Sequence, residues 1–324
     1  MKRAAMTALS CALAVAAIAP AWAQTAKYPE RAIRLISPFP PGGTVDVNAR
    51  ILAPAVTKSL GQQVVVDNRS GASGIIGTTE AARAKPDGYT LLINTTPMVT
   101  NPAMYSKVPY HALKDFEAIS ILSSTPSFLS VHPSVPAKTV GELIKLAKAR
   151  PGALNYGGAG IGTNPHIAGE LFNHLAKTNI VAVQFKGGGP ALIGAISGEV
   201  SIAFSGLAGA VGFVQSGRLR ALGVTSLKPA AALPGVPTIA ASGLPGYEFV
   251  AWFVLAAPKG TPREIIALLN DHFRKAMANP DTIKRLQADG IDIIGSTPEQ
   301  AAATLEADLK KYATLIRERG MKAD

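Results

Sequence analysis

From Ile33 onward, short β-branched runs alternate with helical hydrophobic spacing, which predicts an α/β chain built largely on parallel strands. Ile33–Ser37 reads as a strand, 38–43 as a loop and Thr44–Leu60 as a helix, with Gly61 ending it and Pro54 expected to kink it. A strand at 64–66, a helix at 75–84, a turn at 86–88 and a strand at 89–94 follow. A Pro- and Ser-containing stretch at 123–127 then separates a second run of the same grammar. That run has a strand at 128–131, a helix Val140–Ala149 capped by Thr139, and a strand at 154–156 opening into the glycine-rich 157–162. Asn164 and Pro165 mark the next helix start. Strands at 181–185, 201–204 and 219–225 enclose the glycines 187–189 and a helix at 190–197.

The C-terminal part crosses a Pro/Gly-rich segment at 234–246 into a strand at 252–256. Thr261-Pro262 and Thr297-Pro298 then open helices to about residues 278 and 319. So long a return predicts that the end of the chain rejoins the first half. The expected organisation is one lobe from 24–125 plus 247–324 and a second from 126–246, with a ligand cleft between them.

Residues 1–23 stand outside this grammar. Lys2 and Arg3 precede an Ala-rich apolar stretch and an A-x-A pattern at 21–23, the layout of a secretory signal peptide with cleavage after Ala23. The stretch is short for a membrane span. Cys11, the only cysteine, lies inside it without a lipoprotein context, so the mature chain would have no disulfide, thiolate metal site or cysteine nucleophile.

The chain has 324 residues, and 48% hydrophobic content is enough for real cores. Its formal charge of +11 invites a nucleic-acid reading, but the basic residues are scattered or interleaved with acids, as at 306–319, and only 6% of residues are aromatic. A diffuse positive field suits the attraction of a small anion instead.

Candidate chemistry lies where strands open through glycine loops into helices. At Pro38-Phe39-Pro40-Pro41-Gly42-Gly43-Thr44 and again at Gly157 through Asn164, backbone N–H groups and a helix N-terminus can cradle a carboxylate or phosphate. The second loop lacks the third glycine of a dinucleotide fingerprint, and no Walker-type loop occurs. None of Ser70, Ser73, Ser197 and Ser205 completes a nucleophile elbow, and His111, His132, His166, His174 and His272 form no zinc-binding pattern, so no catalytic role, cofactor or metal is assigned. His166 falls in the first turn of the second cradle's helix, as a ligand contact or a packing residue. Asp46 suits a helix cap or a polar ligand contact, and Lys186 beside 187–189 could face an anion or solvent. The second-lobe loops 157–166, 186–190 and 205–209 carry no Asp or Glu. A ligand ammonium there would lack a countercharge, and a carboxylate without an amine is favoured.

These residues resemble the Bug family, the TctC-like extracytoplasmic receptors of tripartite tricarboxylate transporters. The likeness runs along the whole mature chain: Tyr28-Pro29, the 38–46 loop with Arg50, Gly61-Gln62, 86–90, Asn101-Pro102, 113–116, 154–156, Gly162-Thr163 with His166, 169–172, Lys186-Gly187, 219–226, Pro237-Thr238, 243–247 and 260–262. The resemblance implies a two-lobed periplasmic binding protein of type II-like form, each lobe a mainly parallel sheet flanked by helices. It would act as a monomer that captures a small di-, tri- or aromatic carboxylate by lobe closure and delivers it to membrane permease subunits. It also implies a site drawn from Phe39, Pro40, Gly42, Gly43, Thr44, Asp46, Gly160, Thr163, Asn164 and His166, with Thr95 and Thr96 closing one side. Lys186 and Ser205 join the list from their loops. Ser205-Gly206 departs from the acidic or larger polar residue frequent there, which argues against an amino-acid ligand and leaves room for a bulkier acid. The alternative is a periplasmic sensor that reports the same ligand to a two-component system; an enzyme on a similar scaffold would need a nucleophile–base pair that the sequence lacks.

Overall fold

A computed structural model describes residues 28–230, 232–288 and 290–323, and residues 31–324 form one unit. The signal-peptide reading, its cleavage site and Cys11 lie outside the described residues.

The first parallel group runs β1 (Ile33–Ser37), α1 (Thr44–Leu60), β2 (Val64–Asn68), α2 (Ile75–Ala82), β3 (Thr90–Asn94) and α3 (Pro97–Met104). β1 lies between β2 and β3, parallel to both. Helix α1 buries Val45, Ala49, Leu52 and Val56, one apolar stripe at helical spacing, and runs unbroken through Pro54 to a left-handed Gly61 at φ 71°.

β4 (Phe116–Val131) then passes from one group of strands to the other. Its first part pairs with β9 (Val250–Pro258) and its last residues pair with β7 (Ile202–Gly206) and β8 (Arg220–Val224), all antiparallel. The stretch 123–127, read from sequence as a boundary, is therefore strand interior. Pro126, which has no N–H to donate, falls where β4 changes partners, and Ser127 next to it is held by Thr225 through the hydroxyl and the backbone. The second parallel group consists of β5 (Asn155–Gly158) between β6 (Val181–Gln184) and β7. With it come α4 (Val140–Ala149), α5 (Asn164–Ala176), α6 (Gly188–Ser197) and α7 (Leu207–Gln215).

After β9 come α8 (Arg263–Met277), α9 (Pro280–Ala288), β10 (Asp292–Ile293) and α10 (Pro298–Arg319). β9 pairs with β3, so the C-terminal return rejoins the first group. The sheet order is β2-β1-β3-β9-β4-β7-β5-β6, parallel in its outer parts and antiparallel through the middle. The sequence predicts mainly parallel pairing. The difference arises because β4 and β9 are buried on both faces and read as continuous apolar runs whatever their direction.

Helix α10 opens with a reciprocal capping box, Thr297 and Gln300 each bonding the other's backbone N–H. Near its far end, Arg319 Nε donates to the nearly buried Glu170 of α5 at 2.9 Å. The other Glu170 oxygen accepts from Tyr156 Oη at 2.9 Å. Burial and the neighbouring carboxylate hold the Tyr156 hydroxyl well above its ordinary pKa, so it remains a donor. Gly169 lets α5 lie against that tyrosine: a Cβ there would sit 2.5 Å from the ring.

Candidate functional site

β1 and β3 of the first group run opposite to β5, β6 and β7 of the second, so the carboxyl ends of the two groups face one another along β4, and the helix following each strand begins there. The carboxyl ends of parallel strands are where α/β folds place ligands. Here they surround two adjoining chambers of about 450 Å³ and about 320 Å³. Gly43, Thr44, Pro165, Gly188 and Gly206 border both chambers, so the beginnings of α1, α5, α6 and α7 meet at the neck between them.

None of these four helix starts is capped by a side chain. The N-cap positions of α1, α6 and α7 are glycines, and that of α5 is Thr163, whose hydroxyl donates instead to the Gly160 carbonyl at 2.6 Å. The first N–H groups of a helix have no intrahelical partner, so each start leaves donors for whatever occupies the neck. Intrahelical bonding begins only at Val47 in α1, Ile167 in α5 and Ala191 in α6. Each terminus also carries about half a positive charge. No Asp, Glu, Lys, Arg or His side chain lines either chamber. The arrangement gathers neutral donors and positive dipole ends without a fixed charge, which suits a small anion.

Of the residues singled out from sequence, Phe39, Pro40, Gly42, Gly43, Thr44, Thr95, Thr163, Asn164 and Ser205 line the chambers. The hydroxyl of Thr95, a residue 5% exposed, and the Asn164 carbonyl oxygen are buried there without a hydrogen-bond partner. Buried polar atoms are nearly always paired, so these two call for a ligand or water.

Asp46, Thr96, Gly160, His166 and Lys186 do not line the chambers. Asp46 is buried under the first loop, where its carboxylate accepts from the Gly42 N–H, Arg50 and Asn68 at 2.9 Å each. Burial alone would raise the Asp46 carboxyl, but the hydrogen bonds from Arg50, Gly42 and Asn68 together hold it below the ordinary carboxylate range. Its position supports the first loop from beneath. His166 turns its ring inward, stacks near Tyr156 and accepts the Gly162 N–H on Nδ1 at 3.1 Å, which puts the ring proton on Nε2. Burial lowers its pKa, opposed in part by Glu170, so the ring is neutral at pH 7. Thr96 is fully buried, Gly160 bonds Gln184 and Thr163, and Lys186 is exposed.

The second loop is also held from the first strand group. Thr100 Oγ1 of α3 donates to the Gly162 carbonyl at 3.2 Å, and Ser73 Oγ to that of Ile161 at 3.4 Å. Sequence reasoning missed the apolar wall formed by Val47, Leu192, Phe204 and Ile291, and the floor of Thr125, Ser127, Ala251 and Phe253. The wall residues carry no signal beyond hydrophobicity. Those of the floor come from β4 and β9, and the antiparallel course of these strands was not foreseen. Among the described residues no cluster of His, Cys, Asp and Glu could hold a metal ion, and no helix is long and apolar enough to cross a membrane.

Comparison with known proteins points the same way. Residues 48–321 match the family described as the tripartite tricarboxylate transporter family receptor, TctC. Protein BugT of Bordetella pertussis (strain Tohama I) is 36% identical over 297 residues, covering 91% of this chain and 91% of that protein. The solved structure of R. palustris Rpa4515 with adipate is 34% identical with a TM-score of 0.82, covering 91% of this chain and 99% of that one. The periplasmic binding protein BugD is 31% identical with a TM-score of 0.79, over 91% and 99% of the two chains.

Proposed function

The chain belongs to the TctC family of tripartite tricarboxylate transporter receptors, non-enzymatic periplasmic solute-binding proteins, and from that premise we propose that it captures a small organic carboxylate in the cleft described above. The observation that carries this reading is the neck, where four helix starts without side-chain caps converge and no charged side chain intrudes. Their N–H donors hold the carboxylate, aided by the Thr95 hydroxyl. The adipate bound in Rpa4515 is a carboxylate on the same scaffold.

Charge-assisted hydrogen bonds contribute about 1.5–3 kcal/mol each, and micromolar binding needs about 8 kcal/mol net of ordering costs. A few such bonds therefore suffice. α1 and α3 rise from the first strand group and α5, α6 and α7 from the second, so a ligand touching both groups favours the state in which they are close. On this reading the lobes are 24–125 with 247–324, and 126–246, and they hinge where β4 and β9 cross. Residues 1–23 direct export with cleavage after Ala23, and the loaded monomer docks to the permease subunits of a tripartite transporter.

The test is thermal-shift fluorimetry of ligand-free refolded protein against mono-, di- and tricarboxylates, aromatic acids and amino acids. At least one carboxylate is expected to raise the melting temperature. No shift from any carboxylate, or shifts from amino acids alone, would overturn the reading.

A further inference from the structure

The second ligand loop is oriented in part from outside its own strand group. The peptide joining Ile161 to Gly162 is held at both ends: its N–H donates to His166 Nδ1 at 3.1 Å, and its carbonyl accepts from Ser73 Oγ at 3.4 Å. The next peptide is held the same way. Its N–H donates to the Gly160 carbonyl at 3.3 Å, and its carbonyl accepts from Thr100 Oγ1 at 3.2 Å. A planar peptide gripped at both its donor and its acceptor has little freedom to turn. In each case the loop and α5 hold the N–H, and the first strand group holds the carbonyl. Gly162 sits at φ 77° with α3 packed on it: a Cβ there would lie 3.0 Å from Met104 Sδ.

Ser73 reaches the loop from a strained turn. Gly71, Ala72, Ser73 and Gly74 have φ of 136°, 46°, 52° and 88° in succession, and for Ala72 and Ser73 this left-handed region is sterically costly. Such a conformation persists where its surroundings impose it, and it clusters at functional sites. Here Asn101 Nδ2 donates to the Ser73 carbonyl at 3.0 Å, and the Tyr105 hydroxyl lies 3.0 Å from Ser73 Oγ. A serine hydroxyl has one proton, and that of Ser73 goes to Ile161, so Tyr105 is the donor to Ser73. On its other side the turn meets the first loop, where a Cβ on Gly74 would lie 3.1 Å from the Phe39 ring. The turn therefore touches both ligand loops.

We propose that Ser73 and Thr100 are positioning residues for ligand capture: from the first strand group they fix the peptide planes on either side of Gly162, and so aim the N–H of Asn164 at the neck. This inference rests on the reading of the cleft as a carboxylate site and deepens it. The two contacts are long for O–H···O bonds. They shorten as the strand groups draw together, so a bound anion and the two hydroxyls favour the same arrangement.

Amide hydrogen exchange of the ligand-free proteins, together with calorimetry against adipate, citrate and benzoate, tests this. Ser73→Ala and Thr100→Val should each speed exchange at Gly162 and Thr163 by about fivefold while leaving the amides of α1 unchanged. Each should also weaken the tightest of the three acids by about fivefold, the equivalent of about 1 kcal/mol for one hydrogen bond. Thr100→Ser keeps the hydroxyl and should restore most of both losses. Ser73→Gly separates positioning from stability, because glycine accepts the left-handed turn without strain. It should melt no lower than Ser73→Ala and yet bind as weakly; a merely structural role would make affinity follow the melting temperature. Unchanged exchange at Gly162 and Thr163 in both hydroxyl-free variants, or a Ser73→Gly protein that binds like the wild type, would overturn this inference and leave the carboxylate site standing. If none of the three acids binds the wild type, the carboxylate reading loses its support, and the exchange data still decide whether the two hydroxyls set the loop.

Discussion

Gly188 offers a way to block the cleft without harming the fold. It is the first residue of α6, it borders both chambers, and a Cβ built on it meets nothing within 4 Å. In Gly188→Leu the new side chain would project into the neck and shield the first N–H groups of α6. Losing two charge-assisted hydrogen bonds, at about 1.5–3 kcal/mol each, predicts affinity weaker by a hundredfold or more. The fold should not suffer, because glycine is the poorer helix former by up to about 1 kcal/mol. For a chain of this length that corresponds to a rise of about 1–2 °C in melting temperature. Gly212→Ala is the control: it lies in α7, lines neither chamber and has nothing within 4 Å of its added Cβ. It should gain the same stability and keep full affinity. Calorimetry with the strongest carboxylate ligand and fluorimetry of the free proteins read the two effects separately. A Gly188→Leu protein that binds within threefold of the wild type would refute the placement of the ligand at the neck.

Two further perturbations probe the supports behind the site. Because burial holds the His166 pKa below its unfolded value near 6.5, its contribution to stability is complete above that value and declines as pH falls from there toward the folded pKa. His166→Asn can accept the Gly162 N–H without titrating, so the wild type's stability relative to the variant should fall between about pH 7 and pH 5; a constant difference in melting temperature would contradict this. Arg319→Met should cost about 3 kcal/mol, the low end for a broken buried pair, since the Arg319 side chain is 27% exposed and Glu170 keeps its bond to Tyr156. In Glu170→Gln/Arg319→Met most of that loss should return, and a double variant whose loss is the sum of the two singles would show that the pair does not act as a unit.

The two glycine loops at 38–44 and 157–163 were legible because a strand, a glycine run and a Thr or Asn before a helix each leave a local mark. The α7 start was not, because Leu207–Gln215 has no polar residue until its last position and so no amphipathic period. α3 was hidden by Pro97 and Pro102 within eight residues. His166 and Asp46 were placed near the cleft by position alone. Whether a side chain faces a ligand or turns back to satisfy its own loop depends on tertiary partners, here Gly162 for His166 and Gly42, Arg50 and Asn68 for Asp46. The antiparallel crossing of β4 and β9 was invisible for the same reason: strand direction is set by the chain's route, and burial on both faces erases the alternation that would betray it.

The central claim is that an anion is held by uncharged helix starts. A crystal structure of the protein with its tightest carboxylate ligand tests it most directly. The account predicts carboxylate oxygens about 2.7–3.1 Å from backbone nitrogens at the starts of α1, α5 or α6, such as those of Thr44, Asn164 and Gly188. A carboxylate paired instead with a lysine or arginine, or seated outside the neck, would contradict it.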